Sequence, residues 1–143
     1  MLGAALGTAL FALPCQASAN AGGQRLALKL LSTPRVGAKF KLRVSVDASH
    51  HRALGVFTNS QACPPAALDM PSQSDYSGSI TVSPELRFSD TYTAGPLTPN
   101  TTLYICVYLA KIKGRVVGAT VALKSLAVTT GATGPAQITR HSA

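Results

Sequence analysis

The stretch KFKLRVSVDA, residues 39–48, alternates without a fault. Phe40, Leu42, Val44, Val46 and Ala48 fall on one side; Lys39, Lys41, Arg43, Ser45 and Asp47 fall on the other. That period of two belongs to a half-buried strand with one face in the core and one in water. A helix would scatter the same apolar residues around its circumference, because it turns about 100° per residue.

The same period returns on both sides of this stretch. In residues 25–31, Leu26, Leu28 and Leu30 share one face, and Arg25 and Lys29 share the other. Pro34-Arg35-Val36-Gly37 supplies a turn between the two segments. Residues 54–58 form a shorter candidate strand, and residues 79–83 and 86–93 form two more, divided near Pro84. Residues 102–111 and 116–128 are longer and rich in Val, Ile, Leu and Tyr, with Lys113-Gly114 marking a hairpin. Residues 63–70, with Pro64-Pro65 ahead of Ala66-Ala67-Leu68, read as an irregular loop or one helical turn. No stretch sustains a helical period. The expectation is an all-β, antiparallel, seven-stranded sandwich over residues 20–130, with residues 131–143 as a flexible C-terminal tail.

The N-terminal segment has a different character. Residues 1–13 are nearly all Leu, Ala, Gly and Phe, and Ala17-Ser18-Ala19 follows Pro14. This reads as the apolar region and small-residue cleavage site of a secretory signal peptide, expected over residues 1–19. It departs from the usual pattern in having no Lys or Arg before Arg25. The apolar run falls short of the roughly 20 residues that cross a bilayer, so no stable membrane span is expected in the mature chain. The mature protein is expected outside the cell or at its surface. Cys15 leaves with the signal, and Cys63 and Cys106 remain as an even pair in an oxidising compartment. One disulfide is the expected pairing, worth about 4 kcal/mol in the chain-entropy model; two separate buried thiols are the alternative.

The passage Thr91-Tyr92-Thr93-Ala94-Gly95-Pro96-Leu97-Thr98-Pro99-Asn100-Thr101-Thr102-Leu103-Tyr104-Ile105-Cys106-Val107-Tyr108 resembles the E-to-F region of fibronectin type III and immunoglobulin-like domains. There a strand ends in Leu-x-Pro and a Tyr opens the next strand. The resemblance implies a tyrosine corner built on Leu97 and Tyr104, with the ring in the core and its hydroxyl bonded to upstream backbone. The core Trp of the family is absent, and Cys63 follows the third candidate strand instead of lying on the second. The bridge implied is therefore one that ties the loop after the third strand to the start of the sixth. The family implies binding, adhesion or spacing, and carries no catalytic residues to transfer.

Composition narrows the function classes. Thirteen Lys and Arg against five Asp and Glu give a net charge of +8, and only 13% of residues are charged. The acids are Asp47, Asp69, Asp75, Glu85 and Asp90. That is a poor stock for carboxylate catalysis, and neither a Gly-x-Ser-x-Gly elbow nor a Gly-rich phosphate loop is present. The expectation is a non-catalytic protein without a cofactor. His50-His51 beside Asp47 is the one histidine cluster, and imidazole suits copper or zinc. A metal needs three or four convergent ligands, and only the distant His141 could join them. A small metal-binding protein or hydrolase on His50 and His51 is thus the weakest reading, and a solvated loop is preferred.

Two surfaces carry the binding hypotheses. If residues 25–31 and 39–48 pair, then Arg25, Lys29, Lys39, Lys41 and Arg43 share one sheet face, which suits an anionic cell-envelope polymer. A merely solvated face is the bland alternative. Nucleic acid is not the expected partner, because no aromatic side chain is interleaved for base stacking. The second surface follows from the corner motif. If Tyr104, Cys106, Tyr108 and Ala110 point inward, then Ile105, Val107 and Leu109 form an outward apolar stripe for another protein. Asn100-Thr101-Thr102 matches a glycosylation acceptor and equally an ordinary turn.

Overall fold

A computed structural model of the chain describes residues 24–71, 75–82 and 87–142, with the side chains of 75–82 not described. The signal segment expected over residues 1–19 lies outside the described residues. Within them the strands are β1 (Arg25–Leu30), β2 (Phe40–Asp47), β3 (Arg52–Asn59), β4 (Asp75–Val82), β5 (Phe88–Ala94), β6 (Thr102–Lys113), β7 (Val116–Thr129) and β8 (Gln137–Ser142). A single 3-10 turn, Ala67–Asp69, interrupts the loop between β3 and β4.

These strands form two antiparallel sheets, β1-β2-β5 and β4-β3-β6-β7-β8. Alternation in β2 sets the first sheet. Phe40, Leu42, Val44 and Val46 point to the common core and are almost completely buried, while their neighbours Lys41 and Arg43 are exposed. β1 pairs with β2 in the register Lys29 opposite Arg43 and Arg25 opposite Asp47, as the shared hydrophobic period requires. The second sheet meets the first through Leu54 and Val56 of β3, Ile105, Val107 and Leu109 of β6, and Leu126 and Val128 of β7. The result is a two-layer, sandwich-like arrangement.

Two expectations are corrected here. Residues 137–142 are not a flexible tail: they form β8 and pair with β7 from Gln137 opposite Thr129 to Ser142 opposite Lys124. β8 buries little beyond part of Ile138, so backbone ladder bonds hold it where side-chain patterning could not reveal it. Arg140 reaches across the open side of the two layers, and its guanidinium donates to the Leu28 carbonyl at 3.3 Å.

The second correction concerns β6, whose two faces are exchanged relative to the corner motif. Ile105, Val107 and Leu109 are fully buried between the sheets. Tyr104, Cys106 and Tyr108 lie on the opposite face, in a separate cluster with Phe57, Cys63, Ala67, Met70 and Leu123. Ordinary chemistry explains the exchange. The aliphatic set has no polar atom to satisfy and suits the dry interior, whereas a buried tyrosine needs a partner for its hydroxyl. Leu97 does reach the core, held by backbone bonds with Gly37 and Ala38. Tyr104 does not, so the corner of this chain has its leucine without its tyrosine. The protein-binding stripe expected on Ile105, Val107 and Leu109 is overturned with it.

Candidate functional site

The outer face of the three-stranded sheet gathers the basic residues. Arg25 and Lys29 on β1, Lys41 and Arg43 on β2, and Lys39 just ahead of β2 are all exposed. β5 pairs along the other side of β2 and contributes Thr91 opposite Arg43 and Thr93 opposite Lys41. Lys29 and Arg43 are direct cross-strand partners. Like charges so placed destabilise a sheet, by up to about 1 kcal/mol.

The sequence reading missed Arg87. It immediately precedes β5 and returns along β2 to meet Asp47, Nε to Oδ2 at 3.8 Å, with the two side chains 89% and 54% exposed. At that distance and exposure the pair adds little to stability. Ser45 and Ser89 face each other between these charges, their Oγ atoms 3.2 Å apart. The clue was present in sequence, since Arg87, Ser89, Thr91 and Thr93 alternate onto one face. Only the β2–β5 pairing, which no local pattern discloses, sets that face beside Lys41 and Arg43.

The outer face of the five-stranded sheet is of the opposite kind. The loop after β3 folds back over it and is fastened by a disulfide between Cys63 and Cys106, Cα atoms 5.6 Å apart. Tyr108, 1% exposed, donates its hydroxyl hydrogen bond to the Pro64 carbonyl at 2.6 Å, with Met70 Sδ at 3.3 Å. The tyrosine hydroxyl that bonds upstream backbone is thus that of Tyr108. Burial, and after it the Asp69 carboxylate, pushes this phenol up to about 12. The loop is held a second time where the Ala67 amide donates to Thr120 Oγ1 at 2.9 Å.

An apolar depression of about 210 Å³ remains beside the loop, between Ala53, Gly55 and Phe57 of β3, Tyr108 and Ala110 of β6, and the 3-10 turn. A Cβ at Gly55 would come within 2.6 Å of the Phe57 ring, which would have to move to admit it. That ring meets Tyr108 edge to face with centroids 5.8 Å apart. Leu68, 70% exposed, stands at the lip.

His50 and His51 lie exposed in the loop between β2 and β3. His50 Nδ1 is 2.9 Å from Ser49 Oγ, and the His51 carbonyl accepts from Arg52. His141 sits on β8 opposite Ser125. Among the described residues no three His, Cys, Asp or Glu side chains gather as a metal would require. No helix among them is long and apolar enough to cross a membrane.

The architecture defines an all-β chain of two antiparallel sheets, stapled by a disulfide outside its main core. No family model, curated protein or solved structure matches it.

Proposed function

We propose that this chain is an exported, non-catalytic module of the immunoglobulin or fibronectin III type that binds an anionic polymer of the cell envelope through the outer face of β1-β2-β5. The strand neighbours support the type. The order β1-β2-β5 is that expected for A, B and E, β3-β6-β7 that for C, F and G, and β4 lies beside β3 where variable-type domains add an extra strand; β8, beyond β7, is an addition to that scheme. The disulfide suits an oxidising compartment and therefore export.

The observation that carries the binding reading is Lys29 set directly opposite Arg43, with Lys41 next along the same strand. A sheet selected for stability alone would place a carboxylate or a neutral partner there. A polyanion turns the same arrangement into a favourable one, because each cation gains a counter-charge and the polymer releases its own counterions. The face carries no aromatic side chain for stacking bases, which favours a polymer other than single-stranded nucleic acid.

The test is retention on an anionic matrix at fixed ionic strength, comparing the native chain with a Lys39→Ser, Lys41→Ser, Arg43→Ser variant. Weaker retention and a shallower salt dependence are expected of the variant. Undiminished retention would overturn the proposal.

A further inference from the structure

The basic face is not uniformly basic, and a concavity on it has a mixed chemistry. Ladder partners cross the three strands in rows: Lys29, Arg43 and Thr91 in one, Ala27, Ser45 and Ser89 in the next, then Arg25 and Asp47 with Arg87 beside them. A depression of about 270 Å³ lies at the Arg25 end of these rows, lined by the polar side chains of Arg25, Ser45, Asp47, Arg87 and Ser89 and by the apolar Ala27, Val46 and Phe88.

Each of these groups limits what can occupy the space. Two guanidinium groups offer planar, paired donors, a geometry that fits a carboxylate. The two serine hydroxyls can each donate or accept. Asp47, ionised, can only accept, so its ligand must bring an O–H or N–H of its own. Its contact with Arg87 is long and exposed and leaves carboxylate lone pairs free to accept. A chain of phosphates brings acceptors alone and is repelled at Asp47. A polypeptide of acidic side chains brings one carboxylate and one backbone N–H per residue, too few donors in one place to meet Asp47 and both serines together. A sugar acid brings a carboxylate and several hydroxyls on one ring. The volume lies at the small end of ligand sites and suits a single ring.

We infer that this depression is a subsite for one uronic acid residue of an acidic polysaccharide. The sugar carboxylate lies between Arg25 and Arg87, the ring hydroxyls bond to Ser45, Ser89 and Asp47, and the chain continues past Lys29 and Arg43. The inference rests on the polymer-binding reading above and names the polymer's chemistry.

Three polymers test it at one ionic strength: polygalacturonate, polyphosphate and polyglutamate. The native chain should bind polygalacturonate at least about tenfold more tightly than the other two, the equivalent of one or two added hydrogen bonds. Ala27→Phe fills the depression without changing charge and should abolish that preference while polyphosphate binding persists. Asp47→Asn should strengthen polyphosphate binding and narrow the preference, and Ser89→Ala, the mildest change, should narrow it as well. Equal binding of all three polymers, or a preference that survives both Ala27→Phe and Ser89→Ala, overturns the uronate subsite and leaves the anionic-polymer reading standing. Failure of the native chain to bind any of the three overturns both.

Discussion

The two outer faces of this molecule are made from strands of the same period, yet they bury and expose opposite things. On β1-β2-β5 the outward positions are mostly Lys, Arg, Ser and Thr, with Ala27 and Asp47 among them, largely open to water and with Lys29 facing Arg43 across the ladder. On the larger sheet the outward positions of β3 and β6 include Phe57, Tyr104, Cys106, Tyr108 and Ala110, and a loop is drawn down over them by a disulfide and two hydrogen bonds. The first face costs stability where Lys29 meets Arg43; the second adds a small core of its own outside the main one. The covered surface accounts for itself through packing, whereas the exposed cations are what the binding proposal addresses.

Three variants would break or sharpen this contrast. Replacing Cys63 and Cys106 together by Ala should lower unfolding free energy by about 2–5 kcal/mol in denaturant titration. Retention on a polyanion should be untouched, since the bridge lies on the other face; loss of both would show that the faces are coupled.

A smaller effect is expected from Tyr108→Phe, which removes the bond to Pro64 and should cost about 0.5–1.5 kcal/mol. It should also alter the response to alkali. The folded phenol holds its proton to about 12 against 10.0 for the free group. Between those values the unfolded chain binds fewer protons than the folded one, so this contribution to stability is complete below the lower value and lost as pH rises towards the upper. The phenylalanine variant should lack that part of the decline and should lose the step in phenolate absorbance near 12.

The smallest change is expected from Lys29→Thr. Removing one of two facing cations should raise stability by about 0.2–0.5 kcal/mol, measured in the same titration. A loss of stability would mean that the lysine is held by packing and that the cost assigned to the basic face is wrong.

These tests follow the boundary of what the sequence disclosed. The strong alternation of β2 gave both its faces and, with β1, the basic surface. Cys63 and Cys106 could be paired because oxidation leaves few options for two cysteines. β6 was harder, because both of its faces are apolar: Ile105, Val107 and Leu109 on one, and Tyr104, Cys106 and Tyr108 on the other. Period alone cannot choose between them, and the resemblance to a tyrosine corner chose the wrong one. A better guide was available in the cysteine. A loop tethered to Cys106 reaches it most simply from outside the sheets, and that places Tyr104 and Tyr108 outside as well. Arg87 and β8 were illegible for another reason: both depend on which strands become neighbours, a long-range outcome without a local signature.

The placement of the staple and of one close-set group of cations on opposite slabs has a consequence for how the molecule would meet a surface. Lys29, Lys41 and Arg43 lie on the far side of the sheets from the Cys63–Cys106 bridge. Arg52, Lys111, Lys113, Arg115, Lys124 and Arg140 lie on or beside the larger sheet, so a heading would come from contact with the close-set cluster and not from a one-sided net charge. If that cluster docks, Leu68 is carried to the side that faces away. Docking by one slab would then decide what the other displays.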